Sequence, residues 1–214
     1  GRLAPALSSL KSLPEGVKAM DMAKAIATSG DLVEPHLARY AAHQSEAFAA
    51  LNTAFVHHGA FVHIPDGIYV EQPIHLVFIT TRGQQAAFHP RVLIATGKDS
   101  SATVVESYLG LDKGRHFANV VVEVALGRGS ALKHYRIQRQ SEAAYHIVNT
   151  QVNITANSSF TDGAFDFGGG LVRNNLNVLV AEEGGNVALH GLYMPTGDQH
   201  VDNQVIIDHA KGHS

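Results

Sequence analysis

Cysteine is missing from all 214 residues, so the chain forms no disulfide and offers neither a thiolate metal site nor a cysteine nucleophile. That composition suits a reducing compartment. Charge is sparse: Lys and Arg total 16, Asp and Glu 19, and the net charge is -3, so there is no basic footprint and no nucleic-acid partner is expected. No apolar run of about 18 residues is free of charged or turn residues, and no basic-then-apolar segment opens the chain. The expectation is a soluble, cytoplasmic protein with no membrane partner.

Several catalytic signatures are missing too. Phosphate loops need G-x-x-x-x-G-K-[ST], but Gly97-Lys98 runs into Asp99, and Val92 stands where the first glycine belongs. There is no dinucleotide fingerprint, no G-x-S-x-G elbow and no H-E-x-x-H zinc motif. The run Gly168-Gly169-Gly170 therefore reads as a tight corner between strands rather than a phosphate cradle.

What is present begins with helix. Asp21 can cap a short helix through Ala27 that ends at Ser29-Gly30, Pro35 suits the first turn of another, and a third is predicted from a Ser45 cap to Gly59, with Phe48, Leu51 and Phe55 on one stripe. From Phe61 the period falls to two and stays there. Phe61 and His63 lead to the turn Pro65-Asp66-Gly67, and Ile74, Leu76 and Phe78 then share a face. The division drawn is a helical segment over residues 1–59 and a β core over 60–214.

A repeat runs through the β core. Val92–Gly97 overlays Val122–Gly127 thirty residues later, with Ser100 over Ser130; Val152–Thr155 follows thirty further on, and Val178–Ala181 after a shorter interval. Units of this size mean stacked coils, each unable to bury its apolar face alone. The fold expected is mainly β, a β-helix or β-solenoid-like core with an N-terminal α-helical segment capping the first coil's open edge. An antiparallel sandwich with even turns is the alternative. The C-terminal end, without such a cap, invites strand addition, including a homodimer.

Histidine is abundant, 14 residues against 16 Lys plus Arg, but scattered. Towards the end, strand parity puts Val201, Asn203, Val205, Ile207 and His209 on one face and His200, Asp202, Gln204, Ile206 and Asp208 on the other. His200 and Asp202 then stand side by side and form the candidate metal pair, with simple hydrogen bonding as the competing reading. Asp162, Asp166 and Arg173 are the residues for an alternative function, a β-helix enzyme acting on carbohydrate, with solvated strand positions as the plainer explanation.

Arg173-Asn174, Gly191-Leu192-Tyr193, Gln199-His200-Val201-Asp202 and Asp208-His209, with Gly59–Pro65 and Glu71–Leu76 upstream, resemble the SufB/SufD family of iron–sulfur cluster assembly proteins, the SufD branch more than SufB. The resemblance implies a right-handed parallel β-helix. It also implies a non-catalytic scaffold subunit that pairs with a SufB-like protein through the β-helix and carries a SufC-type ATPase on a C-terminal helical domain. An iron–sulfur cluster would form transiently in the full complex, with no cofactor bound by these residues alone. Family members continue past Asp208-His209 and begin with a further helical segment, so a core fragment or proteolysed remnant is expected. No cluster ligand is transferred to any residue here.

Overall fold

A computed structural model describes residues 3–10, 12–41, 46–81 and 86–212. After a single 3-10 turn at Pro5–Leu7 the chain forms β1 (Lys18–Asp21), α1 (Met22–Thr28), α2 (Gly30–Val33) and α3 (Ala47–Ala54). Strands follow without further helix among the described residues: β2 (Gly59–Ile64), β3 (Ile74–Thr80), β4 (Ala86–Phe88), β5 (Arg91–Thr96), β6 (Ser101–Gly110), β7 (His116–Ala125), β8 (Ala131–Arg139), β9 (Tyr145–Ile154), β10 (Ser159–Asp166), β11 (Leu171–Val180), β12 (Asn186–Tyr193) and β13 (His200–His209).

These strands wind as a parallel β-solenoid of about 5 turns. One sheet runs β1-β2-β5-β7-β9-β11-β13, the other β12-β10-β8-β6-β3, and every pairing is parallel except β1 with β2. The alternation read from sequence appears as alternating burial, with Val92, Ile94, Val120, Val122, Val124, Val148, Val152, Val178 and Val180 turned into one apolar core. Branched side chains repeated at the same rung stack on one another, which is the packing unit of a sheet.

The repeat is confirmed at its first step and adjusted at its second. Val92 pairs with Val122, thirty residues on, but Val124 and not Val122 pairs with Val152, an offset of 28. Val152 then pairs with Val178, an offset of 26. Each of these offsets is even, so coils shorten without turning a side chain to the wrong face. The glycine run sits at the corner between β10 and β11: a Cβ on Gly168 would lie 2.2 Å from Gln140 O, and one on Gly170 2.4 Å from Glu142 O. Only glycine lets successive corners stack this closely.

The N-terminal segment departs from expectation in four ways. Lys18–Asp21, read as part of a helical region, is a strand that covers the first sheet's edge, with Leu13 and Val17 packed against the core nearby. The helices instead lie on the outer face of that sheet: Met22, Ala25 and Val33 on Phe61 and Leu93, Ala41 and Ala49 on Val121. Asp21 caps α1 as predicted, its carboxylate accepting from Ala23 N at 3.0 Å. Pro35 opens no helix; it follows the end of α2. Ser45 lies outside the described residues, and α3 ends at Ala54, with turn residues leading to β2 rather than helix reaching Gly59. No helix among the described residues is long and apolar enough to cross a membrane.

Candidate functional site

Inside the solenoid the side chains change character from one end of the strands to the other. Where the second sheet's strands begin, Ala102, Leu132 and Phe160 fill the interior; further along, the same inward rungs carry Glu106 and Tyr108 on β6, His134, Arg136 and Gln138 on β8, and Asp162 and Asp166 on β10. On the facing sheet, inward His146 and Asn174 stand at the starts of β9 and β11. All are buried. A polar layer this deep is costly unless its groups pair.

Half of the layer is paired tightly. Tyr108 Oη donates to Glu106 Oε2 at 2.6 Å, and His134 bridges two carboxylates, Nε2 to Glu106 Oε1 at 3.0 Å and Nδ1 to Asp162 Oδ1 at 2.7 Å. Burial alone would lower the His134 pKa, but the hydrogen bonds and charges of Asp162 and Glu106 outweigh it and raise it to about 9. His134 is thus an imidazolium at neutral pH, donating from both nitrogens. Burial, then the neighbouring Glu106 charge, pushes the Tyr108 phenol up, so it remains a donor. Successive coils β6, β8 and β10 are joined by this chain of four side chains.

The other half is loosely paired. Arg136 Nη2 lies 3.6 Å from Asp166 Oδ1, and Asn174 Nδ2 donates to Asp166 Oδ2 at 2.7 Å and to Asn203 Oδ1 at 2.8 Å. Arg136 Nε and Nη2, both ring nitrogens of His146, Asp166 Oδ1 and Asn174 Oδ1 are buried with no hydrogen-bond partner among the described residues. His146 is held well below the usual imidazole pKa, by burial first and then by the charge of Arg136 and His116. Donors and acceptors are both present in this group, the chemistry that bridging water or a small polar guest satisfies.

A second buried ionic group lies on the other side of the first sheet, under the helices. Arg91 Nη2 reaches Glu123 Oε2 at 2.7 Å with both side chains fully buried. Glu123 also accepts from the backbone N–H of Ala38, Tyr40 and Ala41 at 2.9, 3.0 and 3.1 Å. Asn52 on α3 donates to Pro90 O and Asn119 O, both at 2.9 Å. With every charge satisfied, this group holds the helical segment on the sheet.

Of the residues singled out from sequence, Asp162 and Asp166 point inward from β10, the one to His134 and the other to Asn174, while Arg173 projects outward from β11. The three do not converge. His200 and Asp202 do share the outer face of β13, in register with Leu171 and Arg173, and Arg173 Nε lies 3.6 Å from Asp202 Oδ2. His209 is on the opposite face, in register with Val180. Among the described residues no three or more His, Cys, Asp or Glu side chains are grouped to hold a metal ion. Sequence reading missed Glu106, Tyr108, His134, Arg136 and His146; polar residues at alternate positions of an otherwise apolar face were the available signal.

Comparison with known proteins points to one family. Residues 78–214 match the model for "SUF system FeS cluster assembly, SufBD core domain", and residues 1–76 match "SufBD protein N-terminal region". The chain is 26% identical to an iron-sulfur cluster assembly SufBD family protein of Synechocystis sp., with 99% of this chain and 49% of that protein covered. It is 29% identical to Protein ABCI7, chloroplastic, of Arabidopsis thaliana, covering 72% and 34%, and 21% identical to iron-sulfur cluster assembly protein SufD of Escherichia coli, covering 79% and 41%. The chain therefore spans half or less of the length of these relatives. Its core match takes in the parallel coils from the end of β3 onward, with the buried polar layer inside them, and on that match the chain belongs to the SufBD family of the SUF iron–sulfur cluster assembly system.

Proposed function

We propose that the protein works as a scaffold subunit in iron–sulfur cluster assembly, in the cytoplasm, without catalysing a step itself. The observation that carries this reading is the SufBD core match laid over a parallel solenoid. The relatives' names place them in iron–sulfur cluster assembly. A solenoid suits the role physically: its coils form a rigid rod whose side chains hold fixed spacings, and its strands present backbone for pairing with another subunit. The partners proposed are a SufB-like protein through the β-helix and a SufC-type ATPase through the helical domain found further along in the family. The cluster is cargo of that complex rather than a resident cofactor of these residues.

Co-expression of the natural full-length protein with the SufB-like and SufC-type proteins of its own organism tests this. A three-component complex that transfers a cluster to an apo-acceptor is expected, whereas residues 1–214 alone show no ATP turnover and do not retain the ATPase. Failure of the full-length protein to co-purify with either partner would overturn the scaffold role. Tight ATPase binding by residues 1–214 would instead overturn the division of labour along the chain.

A further inference from the structure

The two sheets of the solenoid differ on their outer faces. Helices cover the first at β2, β5 and β7. On the second, the outward rung Val77, Ser107, Ile137, Phe165 and Leu192 is continuous across all five strands, with Val77 and Leu192 each 46% exposed. The next rung adds Ile79, 48% exposed, Leu109 and Phe167. Neighbouring strands are about 4.8 Å apart, so over these five strands the first rung, apolar except at the buried Ser107, runs about 19 Å. That is the length of a helix of about 13 residues.

Charge on this face has one sign. The outward positions of β3, β6, β8, β10 and β12 carry Lys133 and Arg139 and no Asp or Glu, in a chain whose net charge is -3. Both cations are exposed. The Arg139 guanidinium lies over the Phe167 ring, 5.6 Å from its centroid, and neither cation forms an ion pair among the described residues. Between Lys133 and the apolar rung lies a rung of His75, Val105, Tyr135, Gly163 and His190. An apolar stripe with a cation on each side is complementary to a helix that is apolar along one edge and acidic on its flanks.

We propose that the outer face of the second sheet docks an acidic amphipathic helix of a partner protein. This site is separate from the strand pairing put forward above, and neither depends on the other. It fixes the partner's chemistry: leucine-like residues at i, i+3, i+4 and i+7 against Val77–Leu192, and Glu or Asp beside Lys133 and Arg139.

The test uses the natural full-length protein and two labelled synthetic peptides of about 13 residues with the same leucine spacing, one filled with Glu and the other with Lys. By fluorescence anisotropy the Glu peptide should bind at least about tenfold more tightly, and its affinity should fall as salt rises. Lys133→Glu with Arg139→Glu should remove that preference, and Ile137→Glu should abolish binding of both peptides. Should Ile137→Glu fail to fold, the double charge reversal at two exposed positions remains decisive, with an unchanged thermal melt as its control. Equal affinity for the two peptides, or a preference that survives the reversal, overturns the proposal. So does absence of binding of either peptide to the full-length protein.

Discussion

His134 ties two buried carboxylates together: among the described residues it is the one positive group that pairs with both Glu106 and Asp162. Its removal leaves two carboxylates buried without a counter-charge, which is the expensive way to break a buried pair. His134→Ala should therefore destabilise the protein by about 3–5 kcal/mol, measured as a shift of the urea midpoint at unchanged m-value. The pH dependence has two arms. His134 has a folded pKa of about 9, raised above its ordinary 6.5, so its contribution is complete below pH 6.5 and is lost as pH rises through 9. His146 is shifted the other way, so its cost appears as pH falls below 6.5 and the unfolded chain takes up the proton. Stability should peak between these arms, near neutrality. Denaturation midpoints measured from pH 5 to 10 check this, and His134→Ala should flatten the alkaline arm.

Elements were legible in the sequence where one local signal decided them. Asp21 before an Ala-rich stretch gave a true cap, because capping depends on a single carboxylate and the next two residues. Pro35 misled because proline fits both the first turn of a helix and the residues just beyond one, and only the observed end of α2 separates the two. β1 was hidden because four residues, Lys18–Asp21, are too few for alternation to register, and their partner β2 lies about forty residues away. The docking of α3 was equally invisible: Asn52 reads as an ordinary helix residue until Pro90 O and Asn119 O are found opposite its amide. Glu123→Ala tests how the helical segment is held. It strands the Arg91 guanidinium and frees three backbone donors, and the expected loss is about 3–5 kcal/mol. Proteolysis should then cut within residues 22–54 while the strands stay protected; uniform cleavage would show that the pair supports the solenoid itself.

At the scale of the whole molecule, period and repeat were enough to specify a stacked β fold, since burial on one face of every coil writes the same alternation again and again into the sequence. The site was not legible in the same way. Asp162 was noticed for its charge, but its partner His134 lies 28 residues away and Glu106, the other partner of His134, 28 further, and the three meet only because coil lengths bring their rungs into line. The same one-dimensional stacking predicts how the molecule opens. Each coil touches only its neighbours, so a coil with partners on both sides is released last. β7, β8 and β9 have a strand on either side and include the His134 bridge, whereas β1 is held by β2 alone and by an antiparallel pairing four residues long. In native-state hydrogen exchange, amides of β7–β9 should therefore exchange only through global unfolding, with the full denaturant dependence, and those of β1 through a local opening that is nearly independent of denaturant. His134→Ala should lower protection throughout β7–β9 together and leave β1 unchanged. Equal protection from β1 to β9 would mean that the solenoid opens as one cooperative block, and the coil-by-coil account of its stability would be wrong.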